Sequence, residues 1–248
     1  MGQNLLRWLV LIIVLANVLF NSLYSQLTGL PAIGEVSGNY ETFFTPAGYT
    51  FSIWGIIYIS LIIYSIIQLL PGRRSIKVYD EIAPYVIANN ILGSVWILLF
   101  VTGNLLLSLL VIVTMLFTAF MMARISSMGV GRNEINLMIV FPFGILYGWL
   151  IAASAANLWI FLTSKGNAFS ENIYVITGTM IIIWLAALIT GFKINEYFNW
   201  LALGWALLGI FIKHQSEYGN IAFLPMVLGA IMIPWSFYLL YMRWKENK

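Results

Sequence analysis

Long apolar runs separated by short polar connections cover most of the 248 residues. Each run has roughly the 20 residues that a helix needs to cross the ~30 Å hydrocarbon core of a bilayer. The pattern predicts eight membrane-spanning helices, at roughly residues 8–24, 50–70, 84–101, 105–123, 138–162, 173–192, 198–212 and 221–242. The predicted fold class is therefore all-α, a polytopic membrane helix bundle.

The basic residues support this number of spans. When the connections alternate between the two sides, ten of the 12 Lys and Arg residues fall on one side. These ten are Arg7, Arg73, Arg74, Lys77, Arg124, Arg132, Lys193, Arg243, Lys245 and Lys248, and only Lys165 and Lys213 lie opposite. Because basic residues near span ends stay cytoplasmic, the pattern predicts a multi-pass protein of the inner (plasma) membrane with both termini in the cytoplasm.

Composition excludes several classes of protein. With 61% hydrophobic and 8% charged residues, the chain has no room for a soluble domain. The basic residues on the predicted cytoplasmic side account for the net charge of +3, so nucleic-acid binding is not expected. No cysteine is present, no catalytic triad or carboxylate pair is visible, and one histidine is not a metal site. These absences favour a protein that is not an enzyme and has no cofactor or metal, although enzymatic activity stays open.

The first connection, residues 25–49, is the longest. It carries glycine, proline and the aromatic residues Tyr40, Phe43, Phe44 and Tyr49. A loop of this length is usually functional or disordered. Two readings therefore stay open, a folded lid and a loosely ordered outer loop.

Aromatic residues recur on one face of the second span. Phe51, Trp54 and Tyr58 are spaced i, i+3 and i+7, which places their rings on the same side of a helix. Such rings can form an interfacial belt or line a cavity. Tyr58 lies deeper than a belt residue and its hydroxyl needs a partner, so cavity lining is favoured.

The fifth span carries two neighbouring stripes with a period of four. The first contains only small residues, which is typical of close helix packing. The second combines a large ring, a gap and an amide, which suits a pocket. The first stripe is Gly144, Gly148, Ala152 and Ala156, and the second is Trp149, Ala153 and Asn157.

The third span places amides beside aromatic rings. Asn89, Gly93, Trp96 and Phe100 share a face, with Asn90 next to them. A buried amide at membrane depth must find hydrogen-bond partners. It either bonds a neighbouring helix, which is the commoner arrangement, or points into a polar pocket.

Together these patterns resemble the TspO/MBR family, the translocator or tryptophan-rich sensory proteins. The segment FFTPAGYTFSIWGIIY at residues 43–58 is similar to the start of that family's second helix. Trp96 and Phe100 match its third helix, and Trp149, Ala153 and Asn157 match its fifth. The resemblance covers a five-helix unit, so we expect a TspO-like bundle at residues 1–163 and three additional helices of the same membrane domain at 164–248.

The resemblance implies binding, sensing or passage of a flat hydrophobic ligand such as a porphyrin, in a cavity beneath the first outer loop. The ligand-binding residues that it implies, together with the stripes above, are Phe51, Trp54, Tyr58, Asn90, Trp96, Phe100, Trp149, Ala153 and Asn157. The expected partners are this small molecule, the lipid bilayer and a second copy of the chain docked through a small-residue helix face. A small permease for an uncharged solute and a non-catalytic subunit of a membrane complex remain alternatives.

Overall fold

The computed structural model describes residues 2–246, so Lys248 of the basic set lies outside the described residues, as do the side chains of residues 2–4, 170 and 171. Short 3-10 turns join several of the helices, and no strand occurs in the described part. The all-α membrane bundle is confirmed. In chain order the helices are α1 (Gly2–Thr28), α2 (Ile33–Gly38), α3 (Ile53–Ile67), α4 (Val78–Val101), α5 (Leu105–Gly131), α6 (Phe141–Ser164), α7 (Ile173–Ile194), α8 (Phe198–His214) and α9 (Phe223–Glu246).

The number of spans differs slightly from the predicted eight. Within residues 2–246, seven helices are long and apolar enough to cross a membrane: α1, α3 with its preceding turn, α4, α5, α6, α7 and α9. The remaining predicted span, residues 198–212, forms α8, whose 17 residues are at the lower limit of the length of a spanning helix. The first turn of α8 packs against Gly148 of α6, and its last residue, His214, contacts the loop before α3. It therefore runs from one end of the bundle to the other.

A buried arginine ties α1 to α3 and α4. Arg7 is only 2% exposed and donates to the carboxylate of Asp80 at 2.8 Å. Its guanidinium also donates to the backbone carbonyls of Gln68, Arg73 and Ile76. A buried charge is tolerated when its hydrogen bonds are satisfied in this way. The clamp fixes the connection between α3 and α4 against the start of α1.

The third-span amides bond neighbouring helices, the first of the two predicted alternatives. The amide nitrogen of Asn89 donates to the carbonyl of Met115 at 2.8 Å and to the hydroxyl of Thr118 at 2.7 Å, both on α5. The oxygen of Asn90 accepts a hydrogen bond from Asn17 of α1 at 2.9 Å. These contacts hold α4 between α1 and α5.

The small ridge of α6 receives the beginning of α8. A Cβ atom at Gly148 would overlap the backbone carbonyl of Asn199, and one at Gly144 would overlap the side chain of Glu196. The predicted packing role of these two glycines is confirmed. Because α8 of the same chain occupies this face, a homodimer, which stays a prediction, would need another face.

Glu196 caps the first turn of α8 from a fully buried position. Its carboxylate accepts hydrogen bonds from the backbone N–H of Phe198 at 2.6 Å and of Asn199 at 3.3 Å. The side chain is 0% exposed, and desolvation raises its pKa to about 7. The sequence placed this acid in a connection and gave no sign of its burial, which arises because α8 folds back onto α6.

Substituting Gly148 by Ala tests the contact between α6 and α8. The added methyl group collides with backbone rather than with a flexible side chain, so we expect a loss of about 1–3 kcal/mol in the free energy of unfolding. The control is Gly178→Ala on α7, where a Cβ meets nothing within 4 Å. The free energy of unfolding of both variants is measured on the detergent-solubilised proteins. Equal stability of the two variants would contradict the packing described here.

Candidate functional site

A cavity lies between α3, α4, α6 and α8, beneath the loop that precedes α3. Its empty volume is about 570 Å³, but the centres of water-sized molecules reach only about 50 Å³ of it. Its lining is almost entirely apolar. The site is therefore a narrow box with aromatic walls.

Seven of the nine predicted site residues line this cavity: Phe51, Trp54, Trp96, Phe100, Trp149, Ala153 and Asn157. The other two, Tyr58 and Asn90, line a smaller cavity deeper in the bundle. Trp54 and Trp96 border both cavities and separate them. The structure thus brings the predicted residues together, while their binding of a ligand stays a prediction.

Three rings from two helices form one wall. The Trp149 ring meets Phe51 edge-on with centroids 5.9 Å apart, and meets Trp54 in the same way at 6.1 Å. Trp54 in turn stacks on Tyr58, with centroids 5.4 Å apart and planes 25° apart. The stripe of Phe51, Trp54 and Tyr58 therefore faces the interior of the bundle. Of the two predicted alternatives, an interfacial belt and a cavity lining, the structure shows the cavity lining.

Asn157 holds the opposite wall. Its side-chain oxygen accepts a hydrogen bond from the indole N–H of Trp96 at 2.8 Å, and its amide donates to the Ser108 hydroxyl at 3.1 Å. Trp96 stacks on Phe100, with ring centroids 5.1 Å apart. Asn157 is only 2% exposed. The amide therefore fixes the orientation of an indole ring, and both of its polar ends are engaged.

Trp149 carries one polar group without a partner. Its side chain is 3% exposed, and its indole N–H has no hydrogen-bond partner among the described residues. Buried polar groups are nearly always paired, and an unpaired one is costly. A hydrogen-bond acceptor on a bound molecule would satisfy this donor.

The deeper cavity has a mostly apolar lining that includes a network of polar side chains. Asn17 donates to Asn90 at 2.9 Å, and the Tyr58 hydroxyl donates to Asn21 at 2.8 Å. Asn21 donates in turn to Asn17, which joins the two pairs into one network across α1, α3 and α4. Sequence reasoning missed Asn17 and Asn21 as site residues, although their spacing of four on an apolar helix was a usable signal.

The loop that precedes α3 forms the roof. We call residues 29–47, which include α2, the lid. Ile33, Ser37, Phe44 and Pro46 of the lid line the cavity. Phe44 is 1% exposed, so the segment is packed onto the bundle. Of the two readings of this loop, the folded lid is the one that the structure shows.

Helix α8 holds the lid in place. The imidazole Nε2 of His214 lies 2.9 Å from the Thr45 carbonyl, which makes that nitrogen the donor. The backbone N–H of Ala47 donates to the Gly209 carbonyl at 3.1 Å. A Cβ on Gly209 would overlap the side chain of Thr50, so only glycine permits this approach.

Two further contacts join α8 to the lid and to the residues just before α3. The indole N–H of Trp205 donates to the Thr50 carbonyl at 2.9 Å. At the rim Lys213 donates to Glu41, and this hydrogen bond lowers the pKa of the Glu41 carboxyl. Ala206 and Ile210 of α8 also line the cavity. The sequence did not indicate these roles, because α8 lies outside the five-helix resemblance.

Comparison with known proteins gives one match, to a protein family. The family described as TSPO-like protein matches residues 7–238. The match continues beyond residue 163 and includes most of α9, so α8 and its lid contacts lie within it. No curated protein and no solved structure matches the chain.

Loss of the His214 hydrogen bond should loosen the lid. The chain contains no cysteine, so Ala153→Cys places one thiol in the cavity. We expect His214→Ala to speed alkylation of this thiol about fivefold, since one buried hydrogen bond contributes about 1 kcal/mol. The rate of labelling by N-ethylmaleimide measures the effect. Gln215→Ala is the control, because Gln215 is exposed and bonds only Ile212 of its own helix. Equal rates in the two variants would show that His214 does not restrain the lid.

Proposed function

The chain belongs to the family of TSPO-like proteins, and from this premise we propose that it binds a flat hydrophobic ligand, a tetrapyrrole first, in the aromatic cavity beneath the lid. The observation that carries the proposal is the wall of Phe51, Trp54 and Trp149, whose rings meet at one buried place. Flat apolar ligands are held by such walls together with a few polar groups.

The polar groups of the site suit a ligand with few hydrogen-bonding atoms. The unpaired indole N–H of Trp149 offers one donor to the cavity. Asn157 is occupied by Trp96 and Ser108 and keeps its neighbours in position. Ala153 lies between Trp149 and Asn157 on α6, and it leaves space in the cavity that a larger side chain would fill. A largely apolar ring system with an acceptor near Trp149 fits this arrangement.

The size of the cavity makes lid movement part of the mechanism. The 50 Å³ open to water-sized centres is room for only a few waters, at about 10–15 Å³ each. A tetrapyrrole can bind only if the lid rises from α3 and α6. The hydrogen bonds between the lid and α8 would then be broken and remade around each binding event. Enclosure and release would thus be controlled by α8.

Binding is favoured over passage by the packing below the two cavities. Tyr64 and Phe143 meet edge-on with ring centroids 4.6 Å apart, and Tyr79 packs beside Tyr64 at 5.9 Å. All three side chains are 1% exposed or less. A solute would have to displace this aromatic plug to leave at the end of the bundle that carries Arg7.

The basic residues at the same end support an orientation of the protein in the membrane. The basic residues at this end include Arg73 in the turn between α3 and α4, and Arg7, Arg124, Lys193 and Arg243 within about two turns of a helix end. By the preference of basic residues for the cytoplasm, both termini would be inside and the lid outside, in the plasma membrane. The ligand would then reach the site from the outer side or from the outer leaflet.

Tryptophan fluorescence of the detergent-purified protein tests the proposal. Titration with protoporphyrin should give saturable quenching, and Trp54→Phe or Trp149→Phe should weaken the apparent affinity about tenfold by removing part of a ring wall. Trp235→Phe is the control, because Trp235 is 54% exposed on α9 and far from the cavity lining.

A second pair of variants separates binding in the box from partitioning into the micelle. Ala153→Leu fills the cavity and should abolish saturable quenching, whereas Ala186→Leu adds the same bulk on the exposed face of α7. Quenching that does not saturate, or that Trp54→Phe, Trp149→Phe and Ala153→Leu share with the wild type, would refute the site.

A further inference from the structure

A second pocket lies at the opposite end of the bundle from the lid. It is formed where the last turns of α5, α7 and α9 converge, and three of its lining residues are basic: Arg124, Lys193 and Arg243. The centres of water-sized molecules reach about 530 Å³ of it, and polar and apolar atoms share its lining about equally. It shares no lining residue with the aromatic cavity.

Arg243 is the fixed part of this pocket. Its side chain is 4% exposed and donates to the hydroxyl of Ser127 at 2.9 Å and to the Ser127 carbonyl at 3.0 Å. It also donates to the carbonyl of Asn195, the residue that ends α7 in a left-handed conformation. The guanidinium therefore offsets the partial negative charge at the ends of α5 and α7, which would otherwise repel an anion.

Arg124 and Lys193 add further positive charge to the pocket, which is not needed to offset the ends of α5 and α7. Both are exposed, and within the described residues neither forms an ion pair. Arg132, at the same end of the bundle, instead pairs with Glu81 and Glu134. Of the described residues that line the pocket, three are basic and one, Glu246, is acidic. The carboxylate of the buried Glu196 also acts on the charge of Arg243.

We propose that this pocket binds a phosphate-bearing anionic group, the headgroup of an anionic phospholipid. Basic pockets between the cytoplasmic ends of membrane helices take such headgroups, and arginine is suited to phosphate by its planar fork of donors. A lipid is favoured over free phosphate because the pocket adjoins a lipid-facing surface. Ile182, Leu185, Ile189 and Phe192 are exposed along α7 and lead directly to Lys193. An acyl chain can lie along this surface while its headgroup occupies the pocket.

The test uses the full-length protein in a non-ionic detergent and three probes: short-chain phosphatidylglycerol, short-chain phosphatidylcholine and inorganic phosphate. Binding is measured by thermophoresis. We expect saturable binding of phosphatidylglycerol that exceeds binding of phosphatidylcholine by at least tenfold. The double variant Arg124→Gln/Lys193→Gln should weaken it by at least tenfold, because each basic residue at a membrane surface contributes to the attraction.

The matched control is Arg74→Gln/Lys77→Gln. It removes the same charge from exposed residues at the same end of the bundle, outside the pocket lining. We expect less than a twofold change from this pair. Binding of inorganic phosphate with the same dependence on Arg124 and Lys193, and no preference for phosphatidylglycerol, would support the anion site and assign it to a free phosphate.

Two results would overturn the proposal. Equal weakening by the two double variants would mean that general surface charge, and no built pocket, attracts the lipid. Failure of the wild type to bind either phosphatidylglycerol or phosphate would show that the pocket is not an anion-binding site. The unfolding temperature of each variant without lipid shows that its fold is intact.

Discussion

The close approach of α8 to α6 at Gly144 and Gly148 is the contact on which the rest of the structure depends. No side chain fits between the two backbones there, since a Cβ at Gly148 would overlap the Asn199 carbonyl. This contact sets the line along which α8 crosses the bundle. Because its direction is fixed at the first turn, its last two turns arrive beside Thr45, Ala47 and the start of α3. Packing at one end of the bundle therefore positions the lid at the other.

The fold and much of the candidate site could be predicted because both depend on helical periodicity. Apolar runs fix the lengths of the spans, and stripes on α3, α4 and α6 select the residues that face inward. Phe51 lies in the turn before α3, Trp96 on α4 and Trp149 on α6, yet all three face inward near the lid end. When three such faces meet, the rings must share one cavity. Seven of nine predicted residues do so for this reason.

Features that depend on which helices are neighbours could not be predicted. The burial of Glu196 and the lid contacts of His214 exist only because α8 folds back against α6, and no local pattern encodes that choice. Asn17 and Asn21 are polar residues on an apolar helix, but their partners lie on α3 and α4. The narrowness of the cavity depends on the packing of the lid, which composition alone does not predict, since the same aromatic residues suit a loose loop equally well.

Hydrogen exchange with and without protoporphyrin is the measurement that tests the central claim most directly, namely that a lid held by α8 encloses a ligand between α3 and α6. The account predicts that saturating ligand slows amide exchange in residues 33–50 of the lid and its junction with α3, and in the last two turns of α8. Exchange at the end of the bundle that carries Arg7 should stay unchanged. Bound ligand with unchanged exchange in both the lid and α8 would contradict the account, because the ligand would then lie elsewhere.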